Sequence, residues 1–361
     1  MEYSRSVAAF LDACTDCVGC VSCTAACPFL QRYGTPDEII TGHPQDAFLC
    51  TNCGGCSSKC ALGLAPADAL FQTKCDLIRT GNIPSMVRQA LSKARNFADT
   101  GHRFPFIYYS ATDTVFWPGC GLAGMYPSIV RKIPEILSKN LGIKVGVVLD
   151  CCYDPVYQLG DVNMTKTAIK SIKENLKRHN ISRVITGCPN CHKIFSRLLK
   201  NITIEHILAV IPQDEFAPIL GEKIYLHHPC PALLSGRIRQ QTRELLIDRQ
   251  DQMTVLDSQE LLCCGYGGAL SSISPALAEQ FTYRIIDASG ERPIVTYCTG
   301  CKHRFIKYRK NSYHILDLLQ GFRPLQKPVP SLHRWINRLL LSLSERFKSL
   351  VLTSCIWIIF S

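Results

Sequence analysis

The sequence lacks a secretory signal. Its first thirteen residues include Glu2, Arg5 and Asp12, and they contain no long apolar stretch. A protein that stays in the reducing cytosol seldom relies on a framework of disulfides. We therefore expect a cytoplasmic protein, and metal binding is the first explanation for its many cysteines, of which there are 21 among 361 residues.

The sequence also lacks nucleotide-binding and membrane-spanning motifs. It has no nicotinamide or flavin fingerprint, and the glycine-rich turn at residues 265–268 is not followed by the Lys-Ser or Lys-Thr of a phosphate loop. The apolar stretch at residues 351–360 is far shorter than the roughly 20 residues that a spanning helix needs. The net charge of +11 is concentrated in residues 302–361, which contribute +9, so no broad basic face and no nucleic-acid partner are expected.

The basic C-terminal end, residues 326–361, predicts an amphipathic helix. One helical face carries the apolar side chains of Ile336, Leu339, Leu340, Leu343, Phe347 and Leu350. The largely opposite face carries Arg334, Arg338, Glu345 and Lys348. Two interpretations remain: the helix lies peripherally on the inner face of the cytoplasmic membrane or on a membrane protein, or it packs on the body of the chain.

The N-terminal part of the chain contains one cysteine spacing twice. The runs Cys17-x2-Cys20-x2-Cys23-x3-Cys27-Pro28 and Cys50-x2-Cys53-x2-Cys56-x3-Cys60 have the spacing of dicluster bacterial ferredoxins. In such proteins the first three cysteines of a run bind one cluster and the fourth binds the other. We therefore expect two [4Fe-4S] cubane clusters, one on Cys17, Cys20, Cys23 and Cys60, and the other on Cys50, Cys53, Cys56 and Cys27.

The second part of the chain contains a different set of five cysteines, also twice. The first copy consists of Cys120, Cys151, Cys152, Cys188 and Cys191. The second copy consists of Cys230, Cys263, Cys264, Cys298 and Cys301. Both copies run 71 residues from first to last cysteine, and they lie 110 residues apart, which indicates an internal domain duplication.

Predicted strands alternate with predicted helices around these cysteines. The strands are expected at residues 114–117, 144–149, 183–186, 223–226, 253–256 and 293–296. Such alternation predicts a parallel sheet in each copy, with every cysteine group just after a strand, where open parallel sheets bind their ligands. The predicted fold class is an α+β multidomain protein with two α/β cysteine-rich lobes related by a pseudo-twofold axis. Its predicted parts are a helical dicluster ferredoxin domain (1–98), a linker (99–113), the two lobes (114–220 and 221–325) and the tail (326–361).

Five cysteines per lobe exceed the four that one tetrahedral zinc ion or one cubane cluster requires. Either one cysteine of each set is free, or the metal centre is larger than a simple tetrahedral site. A redox-inert zinc ion in each lobe remains an alternative.

The two five-cysteine sets resemble the cysteine-rich "CCG" domains of heterodisulfide reductase catalytic subunits. Similar domains occur in the iron–sulfur subunits of anaerobic glycerol-3-phosphate dehydrogenase, glycolate oxidase and lactate-utilisation systems. Only the second copy has the literal Cys263-Cys264-Gly265, whereas the first reads Cys151-Cys152-Tyr153. The resemblance covers residues 14–320, and in layout it is closest to the heterodisulfide reductase chain that joins an N-terminal dicluster ferredoxin domain to two CCG domains. It implies a non-cubane [4Fe-4S] centre on five thiolates, and all ten lobe cysteines would then be catalytic.

The resemblance implies an oxidoreductase that passes electrons from the two cubanes to one or two further [4Fe-4S] clusters in the lobes, for reduction or oxidation of a disulfide or thiol substrate. Because no flavin or NAD site is visible, we expect a flavoprotein or a membrane cytochrome or quinone-linked protein as redox partner. One alternative is an iron–sulfur protein that only delivers electrons to quinone in a glycolate, lactate or glycerol-3-phosphate dehydrogenase complex. Another is a metal-stabilised scaffold with inert lobes.

Overall fold

A computed structural model of the chain shows a mostly helical protein with two β-sheets. It describes residues 4–14, 22–25, 27–103, 112–217, 223–234, 236–247, 254–257 and 263–353. Cys17 and Cys20, for which a cluster-binding role was predicted, lie outside these residues.

The N-terminal part of the chain, residues 4–103, which we call the helical half, is built from helices and turns in the described residues. Its helices are α1 (Arg5–Cys14), α2 (Ser22–Ala25), α3 (Pro28–Tyr33), α4 (Pro36–Gly42), α5 (Gly55–Ser58), α6 (Pro66–Thr80) and α7 (Ser85–Arg103). Helix α6 begins with Pro66 in its first turn and ends before Gly81, which adopts the left-handed conformation. Helix α7 continues through Arg103, so the first five residues of the predicted linker are helical.

The first lobe contains a four-stranded parallel sheet with strand order β2-β1-β3-β4. Its elements are β1 (Thr114–Trp117), α8 (Cys120–Met125), α9 (Pro127–Leu141), β2 (Gly146–Val147), α10 (Asp154–Gln158), α11 (Val162–Arg178), β3 (Arg183–Thr186), α12 (Pro189–Leu198) and β4 (Thr203–His206).

The second lobe repeats this order in a four-stranded parallel sheet, β6-β5-β7-β8. Its elements are β5 (Lys223–His227), α13 (Gly236–Ile247), β6 (Thr254–Asp257), α14 (Leu270–Ile273), α15 (Pro275–Ser289), β7 (Ile294–Thr296), α16 (Thr299–Lys307) and β8 (Ser312–His314). The register repeats as well, because Trp117 pairs with Thr186 as His227 pairs with Thr296.

All six predicted strands are present, but the sequence analysis missed the fourth strand of each sheet. Strands β4 and β8 are short and carry polar side chains such as Glu205 and Ser312, so they lack the apolar run that marks the other strands. The strand predicted at residues 144–149 is also shorter, with only Gly146 and Val147 paired to β1.

The apolar cores join the parts of the chain instead of separating them. The largest core combines Phe116 and Ile185 of the first lobe with Leu226 and Val295 of the second. Another core packs the N-terminal helices against α15 of the second lobe, where Phe281 is buried. Since burial of one such side chain stabilises by about 1.5–3 kcal/mol, these shared cores hold the lobes and the helical half in fixed positions.

The C-terminal helix α17 (Ser331–Thr353) packs on the first lobe through one face. Asn337 donates a hydrogen bond to the Gly124 carbonyl of the first lobe at 2.8 Å, and Leu341 is buried. Trp335 meets the ring of Phe97 edge-on, so the helix also contacts α7. The other face exposes five apolar side chains, those of Leu332, Ile336, Leu339, Leu340 and Leu343. Packing on the body is therefore confirmed for one face, and an outward apolar face remains. None of the helices in the described ranges combines the length and apolar character needed to cross a membrane.

A buried ion pair between Lys302 and Asp317 joins the second lobe to the first. Both side chains have no exposed surface, and the Lys302 ammonium also donates to the Tyr126 hydroxyl of the first lobe at 2.7 Å. Asp317 accepts a further hydrogen bond from the His314 amide at 2.7 Å. Removing one member of such a pair leaves the other charge buried without compensation.

We expect Asp317→Asn to lower the free energy of unfolding by about 3–5 kcal/mol, because it strands the Lys302 ammonium in the core. The double variant Lys302→Met with Asp317→Asn should lose less, since no net charge remains buried. Urea denaturation under anaerobic conditions measures both. Equal stability of Asp317→Asn and the parent would contradict the role of the pair.

Candidate functional site

The five cysteines of the first lobe converge in two groups beyond the ends of adjacent strands. The Cys120 and Cys151 thiols share a hydrogen bond. The Cys191 thiol lies 3.2 Å from the Cys152 sulfur and also contacts the Cys188 thiol. Parallel strands β2, β1 and β3 are neighbours, so their carboxyl ends bring together cysteines that are distant in sequence.

The second lobe groups its cysteines in the same way. Cys230 contacts Cys263, and Cys301 contacts both Cys264 and Cys298 through thiol hydrogen bonds. The first cysteine of each adjacent pair therefore faces the lone upstream cysteine, and the second faces the Cys-x2-Cys pair. The structure brings together both predicted five-cysteine sets.

A left-handed turn follows each adjacent cysteine pair. Tyr153 has φ +60° and its amide donates to the Cys151 sulfur at 3.4 Å, while Gly265 has φ +74° and its amide donates to Cys263 at 3.3 Å. Glycine adopts this conformation without cost, which explains the Gly of the CCG motif. The tyrosine of the first lobe is held by burial and by a hydrogen bond of 3.2 Å from its hydroxyl to Asp99 of α7.

The lobes contact each other through the elements that carry the cysteines. Helix α8, which begins at Cys120, packs on α16, which contains Cys301. The turn Cys230–Leu234 packs in return on α12, which contains Cys191. A Cβ atom at Gly121 would lie 2.1 Å from the Thr299 hydroxyl, so the seam between the lobes is closely packed.

An ion pair of the partly buried Lys193 and the buried Asp154 lies beside this seam, at 2.8 Å. Although burial disfavours its charge, the Asp154 carboxylate raises the pKa of Lys193. The ammonium also interacts electrostatically with Cys152 of the first lobe and Cys230 of the second. The sequence analysis did not identify this pair.

The described ferredoxin-type cysteines gather in the core of the helical half. Cys27, Cys50, Cys53 and Cys56, the set predicted for one cubane, interact electrostatically with one another. Cys23 also lies near Cys56. Cys60 is partly buried, and two of its three predicted co-ligands are outside the described residues. The ligand assignment of the other cubane therefore stays a prediction.

Among these thiols Cys50 and Cys56 are buried, and Cys27 and Cys53 are partly buried. Burial raises the pKa of Cys27 to about 12 and also raises the pKa of Cys50 and Cys56. An iron–sulfur cluster would supply the positive charge that stabilises thiolates in such a place. The donor chemistry therefore fits the predicted clusters. Among the described residues, no three Cys, His, Asp or Glu side chains converge as a site for a single metal ion would require.

The helical half meets the second lobe at its cysteines. The Cys263 thiol donates to the Thr51 hydroxyl at 3.2 Å and shares a hydrogen bond with Cys53. The 3-10 turn Gly267–Ala269 packs nearby, since a Cβ atom at Gly268 would lie 3.0 Å from the Cys50 carbonyl. One ferredoxin-type cysteine set and one lobe set are thus in direct contact.

The sequence analysis also missed Lys74 of α6, which lies beside Cys50 and Cys53. Its side chain has no exposed surface, and its ammonium donates to the Cys50 carbonyl at 2.5 Å. The signal in the sequence was a lysine on the otherwise apolar face of a helix, between Leu70 and Leu77.

A histidine ends the fourth strand of each sheet, His206 in the first lobe and His314 in the second. His206 accepts a hydrogen bond from the Leu208 amide at 3.4 Å, and His314 accepts one from Leu316 at 3.2 Å. Each ring therefore caps the 3-10 turn that follows the fourth strand of its sheet.

Comparison with known families identifies the lobes. Residues 114–196 and 224–306 each match the family described as the CCG cysteine-rich domain. These two ranges correspond to β1 through α12 of the first lobe and β5 through α16 of the second. Each range contains one complete five-cysteine set.

Comparison with known proteins finds distant relatives. The chain is 22% identical over 328 residues to a fumarate reductase (CoM/CoB) subunit from Methanothermobacter marburgensis, covering 79% of this chain and 66% of that protein. It is 21% identical to a subunit of the dihydromethanophenazine:CoB–CoM heterodisulfide reductase from Methanosarcina mazei, covering 67% of each. It is 26% identical to lactate utilization protein A 1 from Bacillus mycoides, covering 53% of this chain and 87% of that protein.

The chain spans about two thirds of the length of the first two relatives. Its matched lobes, their complete cysteine sets and these similarities agree with the family resemblance seen in the sequence. The chain therefore contains two CCG cysteine-rich domains and is similar to subunits of heterodisulfide and fumarate reductases.

Proposed function

We propose that this chain is the iron–sulfur subunit of an oxidoreductase, in which the ferredoxin-type half exchanges electrons with the cysteine-rich half and a disulfide or thiol substrate reacts at the lobes. The observation that carries the proposal is the contact between Cys53 and Cys263, which joins one predicted cubane site to one lobe site. The similarity to a heterodisulfide reductase subunit supports the substrate class.

The proposed cofactors are two cubane clusters and one or two further [4Fe-4S] clusters in the lobes. Bound clusters would supply one-electron oxidation and reduction. Cys17, Cys20, Cys23 and Cys60 would hold one cubane, and Cys27, Cys50, Cys53 and Cys56 the other. The five cysteines of each lobe would hold the remaining clusters.

The residues of the lobes position and shield these thiols. The Tyr153 and Gly265 amides each donate to a cysteine sulfur, and such hydrogen bonds tune reduction potential. Burial of Cys151, Cys152 and Cys264 keeps water away. The reciprocal packing of α8 on α16 and of Cys230–Leu234 on α12 supports a pseudo-twofold arrangement of the lobes, with both cysteine sets beside their seam.

A second candidate function is electron transfer without a substrate of its own. The similarity to lactate utilization protein A 1 favours it. In that case a flavoprotein partner would carry out the oxidation, and this chain would relay electrons to a membrane cytochrome or quinone-linked protein. Added thiols would then leave the clusters of the lobes unchanged.

Metal analysis after anaerobic purification is the first test. Three or four clusters of four irons predict about twelve to sixteen irons and no zinc per chain. Low-temperature EPR of the oxidised protein should show a signal that shifts when a thiol is added. About eight irons with one or two zinc ions would refute cluster chemistry in the lobes and favour a metal-stabilised scaffold.

Serine variants test the two lobes separately. Cys152→Ser and Cys264→Ser should each remove about four irons where the altered lobe holds a cluster, because that cluster would lose a ligand. The variant that abolishes the thiol-dependent signal identifies the reacting lobe. Cys75→Ser is the matched control, since Cys75 is a partly buried thiol outside both motifs. An unchanged iron content in both lobe variants would contradict the assignment.

We further propose that the outward face of α17 lies on an anionic membrane surface. It presents exposed Leu339, Leu340 and Leu343 next to a strongly basic C-terminal region. Apolar side chains combined with basic charge are typical of helices that lie in the membrane interface.

The pair of changes Leu340→Glu and Leu343→Glu should abolish cosedimentation with vesicles of phosphatidylglycerol and phosphatidylcholine, because carboxylates oppose insertion into an anionic interface. Met86→Glu is the control, since Met86 is similarly exposed on α7. Equal sedimentation of all three proteins would refute membrane contact through α17.

A further inference from the structure

The buried lysine of α6 occupies an unusual position. Lys74 donates to three neutral oxygens, those of the Cys50 carbonyl at 2.5 Å, the Asn52 side chain at 3.0 Å and the Gln158 carbonyl at 3.4 Å. The groups that interact with it electrostatically are the thiols of Cys50, Cys53 and Cys75, of which Cys50 and Cys53 would be thiolates when the predicted cubane is bound. No carboxylate forms an ion pair with Lys74 within the described part of the chain.

A charge buried without an anion is strongly unfavourable. Burial lowers the pKa of Lys74, and ionised Cys50 would oppose that effect. The buried Lys302 and the partly buried Lys193 illustrate the rule, because Lys302 pairs with Asp317 and Lys193 with Asp154. The counter-charge of Lys74 must therefore come from the thiolates beside it.

Lys74 also lies where all three parts of the protein meet. Its acceptor Gln158 belongs to the first lobe, and the Gln158 side chain accepts from the Gly268 amide of the second lobe at 2.6 Å. Asn52 donates to the same Gln158 carbonyl at 2.8 Å. The cubane site next to Lys74 is the one whose Cys53 contacts Cys263.

We propose that Lys74 is a positioning residue that makes the cubane on Cys27, Cys50, Cys53 and Cys56 easier to reduce. This inference rests on the proposed presence of that cubane. Uptake of one electron from the redox partner changes the net charge of a cubane with its four thiolates from about −2 to about −3. A fixed cation beside it stabilises the more negative form. Lys74 thereby favours electron occupancy at the cubane that contacts the second lobe.

The test is an EPR-monitored redox titration of the full-length, cluster-loaded protein. Lys74→Met should lower the equilibrium constant for reduction of one cubane at least tenfold, which lowers its reduction potential by about 59 mV for a one-electron couple. The reduction potential of the other cubane should stay unchanged. The signal that Cys56→Ser alters identifies the cubane in question. Lys59→Met is the matched control, because Lys59 adjoins Cys60 but is exposed, so solvent and salt screen its charge.

A change of less than threefold in this equilibrium constant in Lys74→Met would overturn the inference. If Lys74→Met instead loses about four irons, Gln158→Leu decides, because it disturbs the same junction without changing charge. If Gln158→Leu retains all its irons, the charge of Lys74 is what the cubane needs. If Gln158→Leu loses as many irons as Lys74→Met, Lys74 has only a structural role and the inference fails. Absence of cubanes from the parent protein would refute the proposed function itself. If added thiol does not shift the EPR signal of the lobes, the substrate proposal fails but this test of Lys74 is unaffected.

Discussion

The structure depends on the burial of thiol groups next to one another. A buried thiolate is unstable without positive charge, and a buried cluster of thiols is best explained by a metal centre that ionises them. The parallel sheets serve this arrangement, because the neighbouring strands β2, β1 and β3 end at the same edge and deliver three cysteine groups to it. The second sheet repeats the arrangement for the other set.

The contact between domains follows from the same constraint. The helical half shares a core with the second lobe and brings Cys53 to Cys263. Its contacts with the first lobe include the hydrogen bonds of Lys74 and Asn52 to the Gln158 carbonyl, neither of which joins two cysteines. The two lobes are alike in cysteine geometry but differ in their relation to the ferredoxin-type cysteines, and this difference would give them distinct positions in the proposed electron route.

The duplication also shows how one local requirement admits two solutions. The turn after each cysteine pair needs a left-handed residue whose amide reaches the sulfur. The second lobe uses Gly265, which adopts this conformation freely. The first uses Tyr153, whose conformational cost is offset by burial and by the hydrogen bond to Asp99 of α7. The tyrosine thereby anchors the helical half to the first lobe, a role that glycine cannot fill.

Spacing and apolar runs are local properties of a chain, so the cysteine sets, the duplication, six of the eight strands and the strand–helix alternation could all be predicted from the sequence. Strands β4 and β8 could not, because their polar residues are stabilised by pairing with β3 and β7. The contact of Cys53 with Cys263, the packing of α17 on the first lobe and the position of Lys74 beside thiols without a carboxylate emerged only in the folded chain. Those features depend on contacts between residues far apart in the chain, and no local pattern records them.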